Sequence, residues 1–212
     1  MAEENHKDCI NCPGGAALKR SLLETDDHWA VCDAKPLIEG HIEVISKEHI
    51  SCMGTLDDQT FSKYAELYQK VMAFMNKTYG KTAVFEHGII GQTVFHAHTH
   101  FLPFSGLIED IVPEKDSLRK ISKIEEIRDE FVDKGKYLYV AIDDNKWLVD
   151  TSIGFPRFFR DRFAKALGVS ERGNWKKAKD NPVLVKSFEK DVQRLKEKWA
   201  CFFEIENQRF NP

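Results

Sequence analysis

Three histidines stand at alternate positions in the segment GQTVFHAHTHFLP, residues 91–103. They are His96, His98 and His100, in a chain of 212 residues with eight histidines. Alternate side chains of a β-strand point to the same side of its sheet, so a strand here would place the three imidazoles on one side. Neighbouring imidazoles lower one another's pKa values, and neutral imidazole is both a nucleophile and a metal ligand. The spacing therefore predicts a functional site rather than three structural histidines.

A second motif, CINC, places Cys9 and Cys12 near the N-terminus. A lone Cys-x-x-Cys pair fits a redox pair, half of a zinc site, or a chance pair in a frayed terminus. Redox catalysis is the weakest of these interpretations, because the pair lies in a polar arm and the other three cysteines form no motif. A tetrahedral zinc site needs two more ligands, and His49 and His96 are the candidates.

Length and composition indicate one sizeable folded domain, or a medium domain and a small one. The chain is 42% hydrophobic and 31% charged, which argues against disorder. No apolar run approaches the roughly 20 residues of a membrane span, and the segment MAEENHKDCINC is too polar for a signal peptide. An odd number of cysteines without an export signal favours a reducing compartment, so we expect a cytoplasmic protein with no membrane partner.

The net charge of −3 hides an asymmetry along the chain. Residues 156–212 contain 14 Lys and Arg against 8 Asp and Glu. Such a basic segment is either a set of ordinary solvated helix faces or a surface for phosphate or RNA. In the second interpretation, the residues expected to bind RNA are Arg157, Arg160, Lys176 and Lys177.

Hydrophobic periodicity predicts the elements that position these motifs. Strands are expected at 28–33, 40–46, 82–88, 93–103, 137–143 and 147–151, and helices at 57–79, 116–134, 155–168 and 182–203. The fold class is therefore α+β, with a mostly antiparallel front sheet of about five strands and helix 57–79 packed on it. We predict a domain at 1–113, a linking helix at 114–136 and a small basic α+β extension at 137–212. Whether the two parts share a core stays open.

The segment GQTVFHAHTHFLP resembles the signature of the histidine triad (HIT) superfamily, His-x-His-x-His with apolar spacers. The upstream segment AVCDAKPLIEGHIEVISKEHI resembles that family's Asp, Pro, Gly-His and Lys-x-His pattern, and CINC is similar to its zinc-carrying branch. Order and spacing agree over residues 9–103. The resemblance implies a HIT-like fold and a homodimer that joins two sheets.

The resemblance also implies a function, a nucleotidyl hydrolase or transferase that cleaves a nucleoside phosphate at its α-phosphate. By position, His98 would be the nucleophile and form a covalent nucleotidyl-histidine. His100 would contact the α-phosphate and assist charge transfer to the leaving group. Asp33 would accept hydrogen bonds from the ribose hydroxyls, and Gln92 and Thr93 would cradle the phosphate.

In zinc-carrying relatives the ligands correspond to Cys9, Cys12, His49 and His96, which implies a structural zinc ion. Glu86 marks a departure from the family pattern, because many members have an Asn-containing loop in this region. We expect Glu86 in the substrate-binding region, where it either orients a histidine or meets a basic substrate.

The segment FPRFFRDRFAKALGVSERGNWKKAKDNP resembles the tail of CwfJ-type proteins, which are associated with RNA processing and usually have a degraded triad. All three histidines are present here, which favours catalysis. The alternative is an RNA- or nucleotide-end-binding module related to CwfJ-type factors, with little or no catalysis. A purely structural zinc-binding protein is a third interpretation, but it gives no reason to keep His98 and His100.

Overall fold

Eight strands form one sheet in the computed structural model, which describes residues 9–178 and 180–210, the last five of these by backbone only. They are β1 (Ser21–Glu24), β2 (His28–Cys32), β3 (Ile42–Ser46), β4 (Thr82–Gly88), β5 (His98–Pro103), β6 (Leu118–Ile121), β7 (Tyr137–Ile142) and β8 (Asn145–Val149). Their order across the sheet is β1-β2-β3-β5-β4-β7-β8-β6, and each neighbouring pair of these strands is antiparallel.

The described ranges also contain seven α-helices, of which three are short. They are α1 (Asp58–Tyr79), α2 (Ile108–Ile111), α3 (Glu126–Lys134), α4 (Phe158–Ala166), α5 (Ser170–Gly173), α6 (Trp175–Ala178) and α7 (Pro182–Phe210). Short 3₁₀ turns occur at Ala16–Arg20, Met53–Thr55, Lys115–Ser117 and Thr151–Ile153. The predicted α+β fold with a mostly antiparallel sheet is confirmed.

The long helix α1 follows from its sequence pattern. Its apolar and aromatic residues recur three or four apart and are buried on one side, among them Phe61, Tyr64, Tyr68, Met72 and Met75. Asp57 caps its start by accepting a hydrogen bond from the Thr60 amide at 2.8 Å. The helix ends at Gly80, whose φ of 83° suits glycine. The helix predicted at 57–79 is therefore confirmed.

Two hydrophobic clusters cover the two faces of the sheet. The face covered by α1, α3 and α7 is called the α1 face, and the face covered by α2 and α4 is called the α4 face. Successive residues of a strand point to opposite faces, so β4 sends Val84 to the α1 face and Phe85 to the α4 face. The same alternation decides which residues of β5 reach which face.

The strand predicted at 93–103 is shorter in the structure, because β5 begins at His98. Before that point the chain bonds to the segment after β3, since the Ala97 amide donates to the Ile50 carbonyl at 2.7 Å. The expectation that three histidines line one side of a strand is therefore wrong for His96. The strand alternation applies to His98 and His100.

The helix predicted over 116–134 is also wrong in its first half, where the chain forms β6 and pairs with β8. An apolar spacing of three, as between Leu118 and Ile121, does not by itself separate a helix from a twisted edge strand. Helix α3 begins at Glu126, whose carboxylate accepts hydrogen bonds from the Ser122 and Lys123 amides just before the helix. The helix is thus limited to Glu126–Lys134.

The front part and the C-terminal part share one sheet, because β4 and β7 pair over six residues. Leu138 and Val140 of β7 pack in the same cluster as Phe85 and Leu102. The two parts therefore share a hydrophobic core. The division into 1–113, 114–136 and 137–212 stays a prediction.

Candidate active site

The α4 face carries the two histidines that lie in β5. His98 and His100 point to this face, while Thr99 between them belongs to the α1 face. Neighbouring strands add to the same face: Glu43 of β3 is the antiparallel partner of His100, and Phe85 of β4 stacks on the His100 ring at 4.4 Å between centroids. Three adjacent strands therefore fix the two imidazoles.

A pocket, called the triad pocket below, opens beside these histidines, between the sheet and the C-terminal part of the chain. Besides His98 and His100, its polar and aromatic lining includes Arg20, Asp33, Lys35, Glu43, His87, Thr93, Arg157, Arg160 and Trp175. Arginine and lysine outnumber carboxyl groups in this lining. The charge balance therefore favours an anionic ligand.

The tautomer of His98 is assigned by one hydrogen bond. Its Nδ1 lies 2.5 Å from the His96 carbonyl oxygen, which can only accept, so Nδ1 carries the proton. Nε2 of a neutral His98 then keeps its lone pair. Burial lowers the pKa of His98 below its ordinary value, which favours the neutral ring. The residue can therefore act as a nucleophile at neutral pH.

A relay of two hydrogen bonds assigns the opposite role to His100. The Leu37 amide donates to Nδ1 of His41 at 3.2 Å, so the proton of the neutral His41 ring is on Nε2. Burial lowers the pKa of His41 to about 4 and that of His100 well below its ordinary value. Nε2 of His41 lies 3.0 Å from Nδ1 of His100 and donates to it, so His100 keeps its own proton on Nε2. A lone pair on His98 and an N–H on His100 thus occur on one face, with ring centroids 4.9 Å apart.

Asp33 borders the triad pocket, but strong donors already hold its carboxylate. Arg160 of α4 donates to one oxygen at 2.7 Å, and the Lys35 amide donates to the other at 2.7 Å. Burial alone would raise the pKa of Asp33, yet Arg160 and His41 more than offset this and hold the pKa below its usual range. Asp33 is therefore ionised, and it ties the front sheet to α4.

The loop after β4 borders the pocket at Gly91 and Thr93. Gly91 has a φ of 86°, and a Cβ there would lie 2.6 Å from the Phe155 carbonyl oxygen. The Arg157 amide donates to the Gly91 carbonyl at 2.9 Å. The indole N–H of Trp175 donates to the Thr93 hydroxyl at 3.2 Å. The C-terminal part therefore holds this loop from two sides.

Gln92 takes a different direction from Thr93. Its side-chain amide donates to the Ser51 carbonyl at 2.6 Å. Its amide oxygen is buried without a hydrogen-bond partner among the described residues. The structure thus brings Thr93 to the pocket, whereas the side chain of Gln92 braces the loop against the segment after β3.

The structure places Glu86 away from the triad pocket, which corrects the expectation for this residue. It lies on the α1 face, fully buried, where it accepts hydrogen bonds from the Met53 amide (2.8 Å) and the Tyr137 hydroxyl (2.7 Å). The strand alternation is the reason, because the next residue, His87, points to the α4 face and borders the pocket. His87 accepts a hydrogen bond from the Phe159 amide at 3.1 Å.

The four predicted zinc ligands come together in a second cluster. Sγ of Cys12 lies 3.2 Å from Nδ1 of His49 and 3.6 Å from Nδ1 of His96. Nδ1 of His96 lies 3.5 Å from Sγ of Cys9 and 3.3 Å from Nδ1 of His49. Tetrahedral zinc with bonds of about 2.0–2.3 Å separates its ligand atoms by about 3.3–3.8 Å. The cluster therefore has the donor types and the spacing of a closed zinc site.

The other ring nitrogen of His96 supports this assignment. Nε2 donates to the Ser46 carbonyl at 2.8 Å, which leaves Nδ1 as the ligand atom that faces the cysteines. A second hydrogen bond of this kind commonly orients a histidine ligand of a metal. Burial, with Cys9 adding to it, raises the pKa of Cys12 to about 11. The thiol would therefore ionise on binding a cation, not before.

The four basic residues proposed for RNA do not form one surface. Arg160 is 6% exposed and paired with Asp33, and Arg157 borders the triad pocket while pairing with Asp161. Lys176 and Lys177 are exposed. The arginines therefore line the triad pocket, whereas the two exposed lysines are not part of its lining.

Several residues of the site were not assigned to it from the sequence. His41 and Glu43 alternate along the strand predicted at 40–46, so the register of that strand against the triad strand was the signal that could have found them. Arg160 and Trp175 come from far along the chain. Contact with the triad depends on the packing of α4, which no local pattern reveals.

Residues 16–106 match the family model described as HIT domain. This range is less than half of the chain and ends just after β5. An uncharacterized HIT-like protein of Mycoplasma genitalium is 28% identical over 109 residues, which cover 49% of this chain and 77% of that protein. The candidate zinc ligands Cys9 and Cys12 and the whole C-terminal part lie outside the matched range.

Two solved structures illustrate the likeness. A HIT-like protein involved in cell-cycle regulation from Bartonella henselae, solved with an unknown ligand, is 27% identical with a TM-score of 0.37, covering 42% of this chain and 68% of that chain. A zinc-bound histidine triad family protein from Mycobacterium smegmatis is 21% identical with a TM-score of 0.34, covering 53% of this chain and 84% of that chain.

A separate observation concerns membranes. Among the helices of the described residues, none combines the length and the apolar character that crossing a bilayer requires.

Proposed function

We propose that this protein is a HIT-type nucleotidyl hydrolase or transferase that works through a covalent nucleotidyl-histidine at His98. The observation that carries the proposal is the pair of assigned tautomers. A hydrogen bond to the His96 carbonyl leaves Nε2 of His98 as a nucleophile, and the relay from His41 leaves an N–H on His100. A nucleophile beside a fixed donor suits attack on a phosphorus atom whose oxygens gain negative charge.

The substrate is a nucleoside phosphate with a further group beyond the α-phosphate. His98 attacks the α-phosphorus, and the N–H of His100 donates to a phosphate oxygen. Thr93 and the backbone of its loop contact the phosphate, with Gln92 holding the loop in place. Asp33 keeps unused lone pairs on its carboxylate oxygens beyond those that Arg160 and Lys35 occupy, and it accepts from a ribose hydroxyl.

The test is intact-protein mass spectrometry after brief mixing with adenosine and guanosine substrates. The panel contains dinucleoside polyphosphates, nucleoside phosphoramidates and a capped or adenylated RNA end. Wild type should gain the mass of a nucleoside monophosphate, and His98→Ala should not. His28→Gln is the matched control, because His28 is a buried histidine of β2 whose ring packs near Tyr64 on the α1 face. An adduct on His98→Ala, or neither adduct nor turnover on wild type, contradicts the proposal.

A structural zinc ion is the second part of the proposal. Cys9, Cys12, His49 and His96 would hold it, which would join the N-terminal segment to the turn after β3 and to the residue that precedes β5. The support is the donor set and its spacing. Native mass spectrometry should find one zinc per chain, and Cys12→Ser should lose it.

RNA binding is the alternative function. An RNA- or nucleotide-end-binding role like that of CwfJ-type factors would need the exposed Lys176 and Lys177, because Arg157 and Arg160 are engaged at the pocket. It predicts binding that weakens with salt and survives His98→Ala. A homodimer and a cytoplasmic location complete the proposal.

A further inference from the structure

The carboxyl group of Glu43 lies beside His98 and His100, and neither the attack by His98 nor the donation by His100 involves it. Glu43 of β3 and His100 of β5 are antiparallel partners, so both side chains project to the α4 face. A carboxylate oxygen of Glu43 and a ring nitrogen of each histidine lie within 4.8 Å of one another. The Glu43 side chain is 15% exposed and borders the triad pocket, so a ligand there can reach it.

The two carboxyl groups of the pocket are held in opposite states. Asp33 is paired with Arg160 and is ionised. Glu43 faces imidazoles on its own side, and its nearest contact with one is 3.6 Å, from Oε1 to Nδ1 of His100. Burial, with the charge of Asp33 adding to it, raises the pKa of Glu43 to about 8 against the opposing charges of Arg160 and Arg20. Glu43 therefore holds a proton at neutral pH, and such a divergence between two carboxyls commonly marks an acid and its partner.

We propose that Glu43 is the proton donor to the leaving group and, in the second step, the proton acceptor from water. The inference rests on the proposed function, because it assigns a further role in the same reaction. The geometric support is that a carboxylate oxygen of Glu43 lies within 4.8 Å of a ring nitrogen of His98 and of His100, and that all three residues line the same pocket. A general acid needs a hydrogen-bond reach of about 2.6–3.2 Å to that oxygen in the reacting complex.

The lone pair of His98 Nε2 forms a bond to the α-phosphorus, the bond from phosphorus to the leaving oxygen breaks, and that oxygen takes the proton of Glu43. The products are a neutral alcohol or protonated leaving group, a Glu43 carboxylate and a nucleotidyl-His98. Water then attacks the phosphorus, the Glu43 carboxylate takes its proton, and the bond to Nε2 breaks with its electron pair returning to His98.

Two esters of adenosine 5′-phosphate that differ in one methylene test this role. The 4-nitrophenyl ester releases a stable anion that needs no proton, whereas the 4-nitrobenzyl ester releases an alcohol that does. Guanosine versions of both esters cover the other purine. Release of the first equivalent and of later equivalents is followed by rapid mixing, for wild type, Glu43→Gln and Glu43→Asp.

Glu43→Gln should lower the rate on the 4-nitrobenzyl ester by about 10²–10⁴-fold, the usual range for a lost general acid. The first release from the 4-nitrophenyl ester should stay within about threefold of wild type, because that step needs no acid. Later turnovers of this ester should slow, because water has lost its proton acceptor. Glu43→Asp keeps a carboxyl group on a shorter side chain and should recover part of the benzyl ester rate.

Equal losses on the two esters, or no loss on either, would overturn the role of Glu43 while leaving the covalent reaction intact. Release from neither ester by wild type would overturn the proposed function and this inference together. Glu66→Gln is the matched control, because Glu66 is an exposed carboxylate of α1, across the sheet from the triad pocket. Its rates on both esters should equal those of wild type.

Discussion

Two glutamates on opposite faces of the sheet, the fully buried Glu86 and the partly exposed Glu43, have raised pKa values and different surroundings. Burial raises the pKa of Glu86 to about 7 and that of Glu43 to about 8. On the α1 face, Glu86 accepts one hydrogen bond from the Met53 amide and one from the Tyr137 hydroxyl. On the α4 face, Glu43 shares its surroundings with two histidines and borders a pocket.

A shifted pKa alone therefore does not identify a residue that takes part in a reaction. Burial raises the pKa of Glu86, while the donors on Met53 and Tyr137 oppose that shift and hold the side chain in place, so the raised pKa is a consequence of packing. Glu43 is accessible to a ligand and lies beside a nucleophile, so the same shift gives it a proton that it can transfer. Substitutions on the two faces should therefore have separable effects on stability and on activity.

The largest effect on stability should come from Arg160→Met on the α4 face. The substitution leaves the Asp33 carboxylate buried without its cation, which typically costs about 3–5 kcal/mol of unfolding free energy. Urea unfolding monitored by fluorescence measures the loss. Lys165→Met, an exposed lysine of the same helix, is the control and should change the free energy by less than about 0.5 kcal/mol. A loss below about 1 kcal/mol for Arg160→Met would show that Asp33 does not depend on this pair.

Adjacent residues of β5 give the next test, because they face opposite sides. His100→Asn removes the donor to the phosphate and should lower kcat by about 10²–10³-fold, as for a lost oxyanion donor. Thr99→Val removes a hydroxyl that lies 2.9 Å from the Tyr64 hydroxyl and should cost about 1 kcal/mol of stability with kcat unchanged. If Thr99→Val lowers kcat as much as His100→Asn does, the reaction does not depend on the α4 face alone. Steady-state kinetics and urea unfolding are run on both variants.

Local sequence patterns predicted much of this fold, but not the contacts across it. The period of α1 with its stop at Gly80, and the Gly-containing loop between the strand segments 82–88 and 93–103, were sufficient to place α1 and β4. The β6 segment was assigned to a helix, because a four-residue edge strand has too few positions to show its period. The triad was recognisable because its chemistry lies in five consecutive residues.

The rest of the site depends on contacts between distant positions. Arg160 is 127 positions away from Asp33 in the chain. Glu86 shows that nearness in the chain can also mislead, because its position beside the loop of Gln92 and Thr93 predicted a pocket residue. One step of strand alternation put it on the other face and brought His87 to the pocket instead.

The pH dependence of stability should separate Glu86 from the active site. Its pKa is about 7 in the folded protein against an ordinary value of 4.5, so the folded state binds the proton more tightly than the unfolded state. The stability from that proton is fully present below pH 4.5 and is lost as the pH rises to about 7. The loss is on the order of 3 kcal/mol at about 1.4 kcal/mol for each pKa step of one.

Glu86→Gln removes this titration while the amide still offers an acceptor to the Met53 amide. The unfolding free energy of wild type, relative to that of Glu86→Gln, should therefore fall by about 3 kcal/mol between pH 4.5 and 7.5, with kcat unchanged. Buried histidines with lowered pKa values make the unfolding free energy rise with pH. Both proteins contain these histidines, so their contribution cancels in the difference. A constant difference across this range would show that Glu86 stays ionised in the folded protein.

The smallest effect should come from the hydrogen bond that joins Trp175 to the loop of Thr93. Trp175→Phe keeps an aromatic ring beside Lys35, whose Nζ lies 4.5 Å from the indole, but loses the N–H donor. A hydrogen bond in this partly exposed position contributes about 0.5–1 kcal/mol, so KM should rise by about two- to fivefold with kcat unchanged. Thr93→Val should do the same, and the double variant should add little to either.

The α1 face offers the matched aromatic for that test. Trp199 of α7 is buried against Phe74 of α1 at 4.7 Å between ring centroids, far from the triad pocket. Trp199→Phe should therefore lower stability by about 1 kcal/mol and leave KM unchanged. If KM rises for Trp199→Phe as well, the effect of Trp175→Phe reflects a general loosening of the C-terminal part. If only Trp175→Phe and Thr93→Val raise KM, the C-terminal part contributes directly to ligand binding on the α4 face.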